Sequence, residues 1–322
     1  MENPSKNRIE SIDLLRGVVM VIMALDHVRK YFHYGSFFID PTDLATTTPA
    51  IFFTRWITHF CAPVFVFLAG TSAYLYGSKK GKDQKDVAWF LFSRGVFLIF
   101  LELTIVNFGW TFDITLSFHL MQVIWAIGIS MVFLSVAVFL PIHMIFSIGI
   151  IIIFGHNLLD SIMLKGVGME NFFWYAVHQK GSILISNTRL IHFAYPVLPW
   201  IGLMFLGYVF GVLYNKKFDP EKRKKFLLSI GCLSIFLFIV FRYFNLYGDM
   251  NTWEVPDTFI YSLLSFFNTT KYPPSLLFIL MTIGPSLIFL YFAENIRNKI
   301  SKSLIVIGRV PLFYYVIHIY VI

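Results

Sequence analysis

Charge is what this sequence has least of. Only 14% of the 322 residues are Asp, Glu, Lys or Arg, while 57% are apolar. An ordinary soluble domain carries about 25% charged residues because its surface must be solvated, so a soluble fold is excluded. Cysteine is nearly absent too. Cys61 and Cys232 both lie inside apolar runs, which argues against a disulfide and against a Cys-based metal site. A Walker loop, G-x-S-x-G, H-E-x-x-H and C-x-x-C are missing, so soluble-type ATPase, serine hydrolase, zinc protease and thiol-redox chemistry lose support. There is no sustained period-2 alternation of the kind a transmembrane barrel needs. An internal repeat of the kind that builds two-halved transporters is also lacking. The first apolar run carries Asp13, Arg16, Asp26 and His27 and has no small-residue cleavage site after it, which is unlike a removable signal peptide.

What is present in quantity is aromatic and aliphatic side chain, including 37 Phe and 16 Tyr. A helix needs roughly 20 mostly apolar residues to span the hydrocarbon core. Stretches 12–33, 56–77, 88–107, 117–139, 142–160, 195–214, 225–244, 274–293 and 303–322 qualify. The fold class expected is therefore all-α: a polytopic helical membrane protein of about nine transmembrane helices, forming one domain over 1–322. With the N-terminus in the cytoplasm, loops 78–87, 215–224 and 294–302 face inward and hold twelve Lys and Arg residues, Lys79, Lys80 and Arg223 among them. The longer outer segments 34–55, 108–116, 161–194 and 245–273 hold only Arg55, Lys165, Lys180, Arg189 and Lys271. That bias is how orientation is encoded. It accounts for the net charge of +8 without a nucleic-acid partner. The aromatic-rich segments 161–194 and 245–273 are expected to lie at the interface as short amphipathic pieces or a lid. The last run stops at Ile322 without a polar cap, so either the chain ends at the outer surface or a further helix follows.

Ionisable groups inside spans are costly and by default mark function. The first helix stands out. Arg16 and His27 are eleven residues apart, about three turns, so they share one face at a separation of about 16 Å. Asp13 sits one turn before Arg16 and can pair with it, and Gly17 lets a ligand or a neighbouring helix approach the backbone. The bland reading of Asp13 and Arg16 is an interfacial anchor, and that of a lone His27 is a hydrogen-bonded structural histidine. The other histidines tilt the balance. His27, His33, His59, His119, His156, His192 and His318 fall near the outer ends of different helices, with His178 in an outer segment and only His143 on the inner side. Such a collar points to an outward-facing polar cavity, beyond the general tolerance of histidine for the headgroup zone. Glu102, mid-span, needs a partner or a proton; Arg94 is two turns away, and a proton relay is the second reading.

A deep Arg and an outer His on one face suit a long ligand with a phosphorylated head and a reactive tip. Arginine fits phosphate, and histidine can take a proton from a hydroxyl or amine. Coenzyme A with its thioester has that shape. The segment Arg8-Ile-Glu-Ser-Ile-Asp13-Leu-Leu-Arg16-Gly17 through Asp26-His27 resembles the opening helix of membrane-bound acyltransferases, especially bacterial relatives of heparan-α-glucosaminide N-acetyltransferase. The acyltransferase-3 group shares the Arg–ten residues–His spacing of Arg16 and His27. The runs Ala62–Ser72 and Gly308–His318 resemble that family's Phe-rich second helix and its terminal Tyr-x-x-His helix. The resemblance implies an integral enzyme of the bacterial inner membrane. It implies transfer of an acetyl group from cytoplasmic acetyl-CoA, used as co-substrate without a metal, to an extracytoplasmic glycan or lipid-linked sugar. Arg16, Asp13 and Gly17 then serve the donor. The animal enzymes carry Asn at the position of His27 and a catalytic His before the second helix, nearest to His33 here. The candidate base is therefore His27, with Asp26 beside it, or His33; His59, His119, His318 and Glu102 are further candidates. An acetyl-histidine intermediate stays open. The rival readings are a proton-coupled transporter or flippase using Asp26, His27 and Glu102, and, more distantly, a haem protein with histidine pairs across helices.

Overall fold

A computed structural model describes residues 9–38, 40–79, 81–256 and 258–322; Arg8 and Lys80, used above, lie outside the described residues. The chain is mostly helical. In order it runs α1 (Glu10–Phe32), α2 (Pro49–Ile57), α3 (Cys61–Gly77), α4 (Gln84–Leu101), α5 (Asn107–Thr111), β1 (Phe118–Met121), α6 (Val123–Ala137), α7 (Ile142–Gly155) and α8 (Phe172–Val177). It continues with β2 (Gly181–Ser186), β3 (Arg189–Phe193), α9 (Leu198–Phe210), α10 (Pro220–Tyr243), α11 (Phe259–Phe267), α12 (Leu276–Ala293), α13 (Lys299–Gly308) and α14 (Pro311–Val321). The helix starts are chemically conventional. Thr48, Asp83, Asp219, Ser275 and Asn298 each accept a hydrogen bond from a first-turn backbone N–H, and Pro49 and Pro220 occupy the first helical turn.

Among the described residues, five helical stretches are long and apolar enough to cross a membrane: Pro49–Gly77, Gln84–Thr111, Ile142–Leu159, Pro220–Tyr243 and Leu276–Ala293. A sixth is added if the bent pair α13–α14 counts as one span. Helix α1 has the length but carries Asp13, Arg16, Asp26 and Arg29, and Val123–Ala137 and Leu198–Tyr214 are shorter apolar helices. The run expected at 117–139 opens as strand β1 and becomes helical only at Val123. The run expected at 303–322 is broken by an 88° bend before Pro311, whose missing N–H cannot continue the α13 ladder. The segment 161–194, expected outside the membrane, is not purely helical either, since it holds β2 and β3. β1 pairs parallel with β3, β3 pairs antiparallel with β2, and the three form one small sheet.

Helices cross where glycine removes the side chain between them. A Cβ on Gly70 would lie 2.2 Å from the Met204 carbonyl oxygen and one on Gly207 2.0 Å from that of Phe67, so α3 and α9 touch backbone to backbone. Large apolar side chains such as Trp89, Phe100, Ile151 and Phe236 are exposed around the outside. A water-soluble surface does not carry so continuous an apolar coat; this is the lipid-facing side of an integral membrane protein. Cys61 and Cys232 are both free.

Candidate active site

Helix α1 organises two cavities. Near its start, Arg16 donates to Asp13 Oδ1 (3.3 Å), to the Leu68 carbonyl (3.0 Å) and to the Ser72 hydroxyl, tying α1 to α3. Asp13 also faces Arg309 at 3.8 Å, so one buried carboxylate lies between two guanidinium groups. Gly17 has a neighbour of its own: a Cβ there would sit 1.9 Å from the Leu304 carbonyl oxygen, and one on Gly308 1.8 Å from that of Asp13. The close approach Gly17 permits is thus to helix α13. Arg16, Ser72, Arg94 and Tyr315 line a cavity of about 310 Å³ whose other walls are apolar.

Three turns on, the second cavity, about 550 Å³, takes in Asp26, His27, Trp110, His192, Tyr195 and Tyr272. It shares Phe65, Val123 and Tyr315 with the first, while Met20 and Met23, one turn apart on α1, line one cavity each. Helix α13 crosses α1 at the level of Asp13 and Gly17. After the bend, α14 runs beside α1 and brings His318 to His27: Nδ1 of His27 lies 2.6 Å from Nε2 of His318, with the rings stacked at 4.8 Å. Nδ1 of His318 lies 3.0 Å from the Tyr314 carbonyl oxygen. A carbonyl only accepts, so in neutral rings that nitrogen carries the proton and His318 Nε2 offers a lone pair. His27 Nδ1 must then donate to it, which leaves the basic lone pair of His27 on Nε2. Trp110 meets the His27 ring edge-on at 4.8 Å and stacks on Tyr31, and Lys30 lies over its indole at 4.9 Å.

Asp26, next to His27, holds Arg29 at 2.8 Å and Arg55 at 2.5 Å. Arg55 also donates to the Tyr272 hydroxyl at 3.3 Å. Tyr272 is buried against Tyr195 (5.1 Å between rings), with the Lys271 ammonium 5.3 Å and that of Lys180 5.7 Å from its ring centre. Burial pushes its phenol up, but Lys271 and Arg55, with hydrogen bonds from Tyr195 and Arg55, outweigh that and hold it at about 7. On β3, His192 shares a 2.7 Å hydrogen bond with Ser182, and burial plus the Lys180 charge keeps it below the ordinary imidazole value.

The remaining histidines do not form one collar. His33 caps the exposed end of α1, His59 is buried against Phe278 (5.2 Å), and His119 lies on β1 opposite Ile191; none of these three lines either cavity. Glu102 is fully buried and finds its partner in a helix end rather than in Arg94: its Oε2 accepts from the Trp125 backbone N–H (2.9 Å) at the start of α6. Arg94 lies instead over the Phe90 ring at 4.8 Å.

The sequence marks Arg55 only as one of the few cations in the segments expected outside, and it singles out none of Tyr272, Tyr195 and Trp110. The available signal was faint: a Lys-Tyr pair at 271–272 in an aromatic outer segment.

The family model described as heparan-alpha-glucosaminide N-acetyltransferase, catalytic, matches residues 8–243, a stretch that includes Arg16, His27 and Arg55 and stops before Tyr272 and His318. No curated protein matches the chain. With well over half of its length covered, the chain belongs to the heparan-alpha-glucosaminide N-acetyltransferase catalytic family.

Proposed function

We propose that this protein moves an acetyl group from cytoplasmic acetyl-CoA to an extracytoplasmic acceptor, a sugar amine or hydroxyl, with His27 as general base. The observation that carries the reading is the His27–His318 pair, which leaves the His27 Nε2 lone pair on a ring that lines the larger cavity. Family membership favours acyl transfer over transport. The basic loops 78–87, 215–224 and 294–302 support a cytoplasmic N-terminus. Nine spans result when α1, α6, Leu198–Tyr214 and the bent pair are counted with the five long apolar helices.

In this arrangement Arg16 and Arg94 hold the phosphorylated part of the donor, Asp13 orients Arg16, and the acyl arm passes Phe65, Val123 and Tyr315 towards His27. His27 Nε2 takes a proton from the acceptor as its nitrogen or oxygen attacks the thioester carbonyl. The adduct collapses with cleavage of the C–S bond, and the imidazolium returns the proton to the departing coenzyme A thiolate. His318 orients His27 and is a positioning residue. Arg29, Lys30, Arg55, Lys180 and Lys271 around the outer cavity, set against Asp26 and Asp40, favour an acceptor that carries a negative charge.

The test is acetyl transfer from labelled acetyl-CoA to an amino sugar by purified protein in detergent. Arg16→Ala should weaken donor binding, and His27→Ala should cut turnover by about 10²–10⁴-fold, the usual contribution of a general base. Turnover unchanged in His27→Ala removes it as the base.

A further inference from the structure

The turn that ends α7 and the short helix α8 bring three metal-ligating side chains together away from both α1 cavities. His156, Asp160 and His178 each offer one ligand atom, and these atoms lie within 4.8 Å of one another. Nε2 of His178 is 3.0 Å from Asp160 Oδ1. His156 and His178 are each only 2% exposed. Among the described residues, neither ring nitrogen of His156 has a hydrogen-bond partner, nor does Nδ1 of His178. A neutral imidazole has one N–H to donate and one lone pair to place, so a fully enclosed ring that does neither is an anomaly a metal would resolve.

The surroundings are those of a ligand set held in position. Asn157 donates to the second oxygen of Asp160 at 2.7 Å and accepts from the Leu276 backbone N–H at 3.0 Å, which fixes the carboxylate against the start of α12. Such outer hydrogen bonds are what orient metal-binding carboxylates. Asp160 is partly open, which gives an ion a way in.

We propose that His156, Asp160 and His178 bind a single Zn²⁺ ion, with water completing the shell. Two imidazoles and one carboxylate suit Zn²⁺, whereas Ca²⁺ and Mg²⁺ require six or more oxygen-rich positions. In a tetrahedral shell with Zn–N of about 2.0–2.1 Å, neighbouring ligand atoms lie about 3.3 Å apart. The His178–Asp160 pair, at 3.0 Å, is close to that spacing, and the His156 ligand atom lies within 4.8 Å of both. The ion clasps the 156–160 turn to α8. Two residues beyond His178, Lys180 joins the wall of the His27 cavity, so the clasp braces that wall.

The test uses the full chain, purified in detergent, stripped with chelator and titrated with Co²⁺ and then Zn²⁺. The expected result is about one metal per chain with the visible bands of tetrahedral Co²⁺, displaced by Zn²⁺. His156→Gln and Asp160→Asn should lose those bands, while His143→Ala, at an exposed histidine elsewhere, should keep them. X-ray absorption on Zn²⁺-loaded wild-type protein should count two imidazoles, a readout that requires no variant to fold. Absence of stoichiometric binding overturns the proposal, as do Co²⁺ bands that persist in His156→Gln or an imidazole count other than two.

Discussion

A histidine in a membrane helix becomes a defined base only when something fixes its tautomer. The Tyr314 carbonyl does this at one remove, by setting His318, which in turn sets His27. The substituent at position 318 therefore matters through its ability to accept. His318→Gln, with an amide oxygen in reach of His27 Nδ1, should retain more turnover than His318→Leu, and donor binding should stay level in both. Equal losses in the two variants would mean that His318 only fills space. Tyr272 makes a separate residue-level prediction. Its phenol, held at about 7 by Lys271 and Arg55 against the push of burial, should ionise near neutrality in an ultraviolet titration. Tyr272→Phe should lack that step, and Arg55→Gln should move it upward by removing one of the two stabilising charges. Both histidines of the pair were legible in the sequence as outlying polar groups at helix ends. Their contact was not, because 291 residues separate them and no local spacing rule joins such positions.

Among the elements, helix spacing and bending do what the sequence pattern leaves open. Each of the nine apolar runs contains a helix, but among the described residues only five stretches, or six with the bent pair, are long and apolar enough to span a membrane. Periodicity does not report an 88° break or a parallel strand pair such as β1–β3, because both depend on what packs alongside. The α1–α13 crossing rests on Gly17 and Gly308. Gly308→Ala places a methyl group on the Asp13 carbonyl, so the helices must part. It should cost about 1–3 kcal/mol, the usual penalty for overpacking, read as a lower unfolding midpoint in detergent together with weaker acetyl-CoA binding through displaced Arg16. Glu102 acts in the same way on α6, as an acceptor for a first-turn N–H. Glu102→Gln keeps a carbonyl oxygen there and should preserve both fold and turnover, whereas Glu102→Leu should lose about 1 kcal/mol or more of stability. A folded but inactive Glu102→Gln would instead point to a proton-carrying role.

For the whole molecule, the scarcity of charge becomes a statement about sidedness. If the basic loops lie inside, α1 runs outward with Arg16 at the donor end and His27 at the acceptor end, about 16 Å apart along one helix. The two cavities meet at Phe65, Val123 and Tyr315, and in the proposed mechanism that is the passage by which the acyl arm brings the thioester to His27. Sidedness can be measured directly. Cys232 is exposed and Cys61 buried, so a Cys232→Ala background leaves no accessible thiol. Single cysteines at Ser78, in the first basic loop, and at Thr188, in the turn between β2 and β3, should then react with a membrane-impermeant maleimide from opposite sides of sealed vesicles. Labelling of both from one side would refute the orientation and the transmembrane path together. With the orientation established, vesicles loaded with acetyl-CoA on the Ser78 side should acetylate an amino sugar supplied only on the Thr188 side. The rate should fall as salt screens the cationic outer cavity if the acceptor is acidic, and should be nearly indifferent to salt for a neutral sugar. That contrast separates the charge of the acceptor from the path of the donor, two properties that acetyl transfer by detergent-solubilised protein would merge.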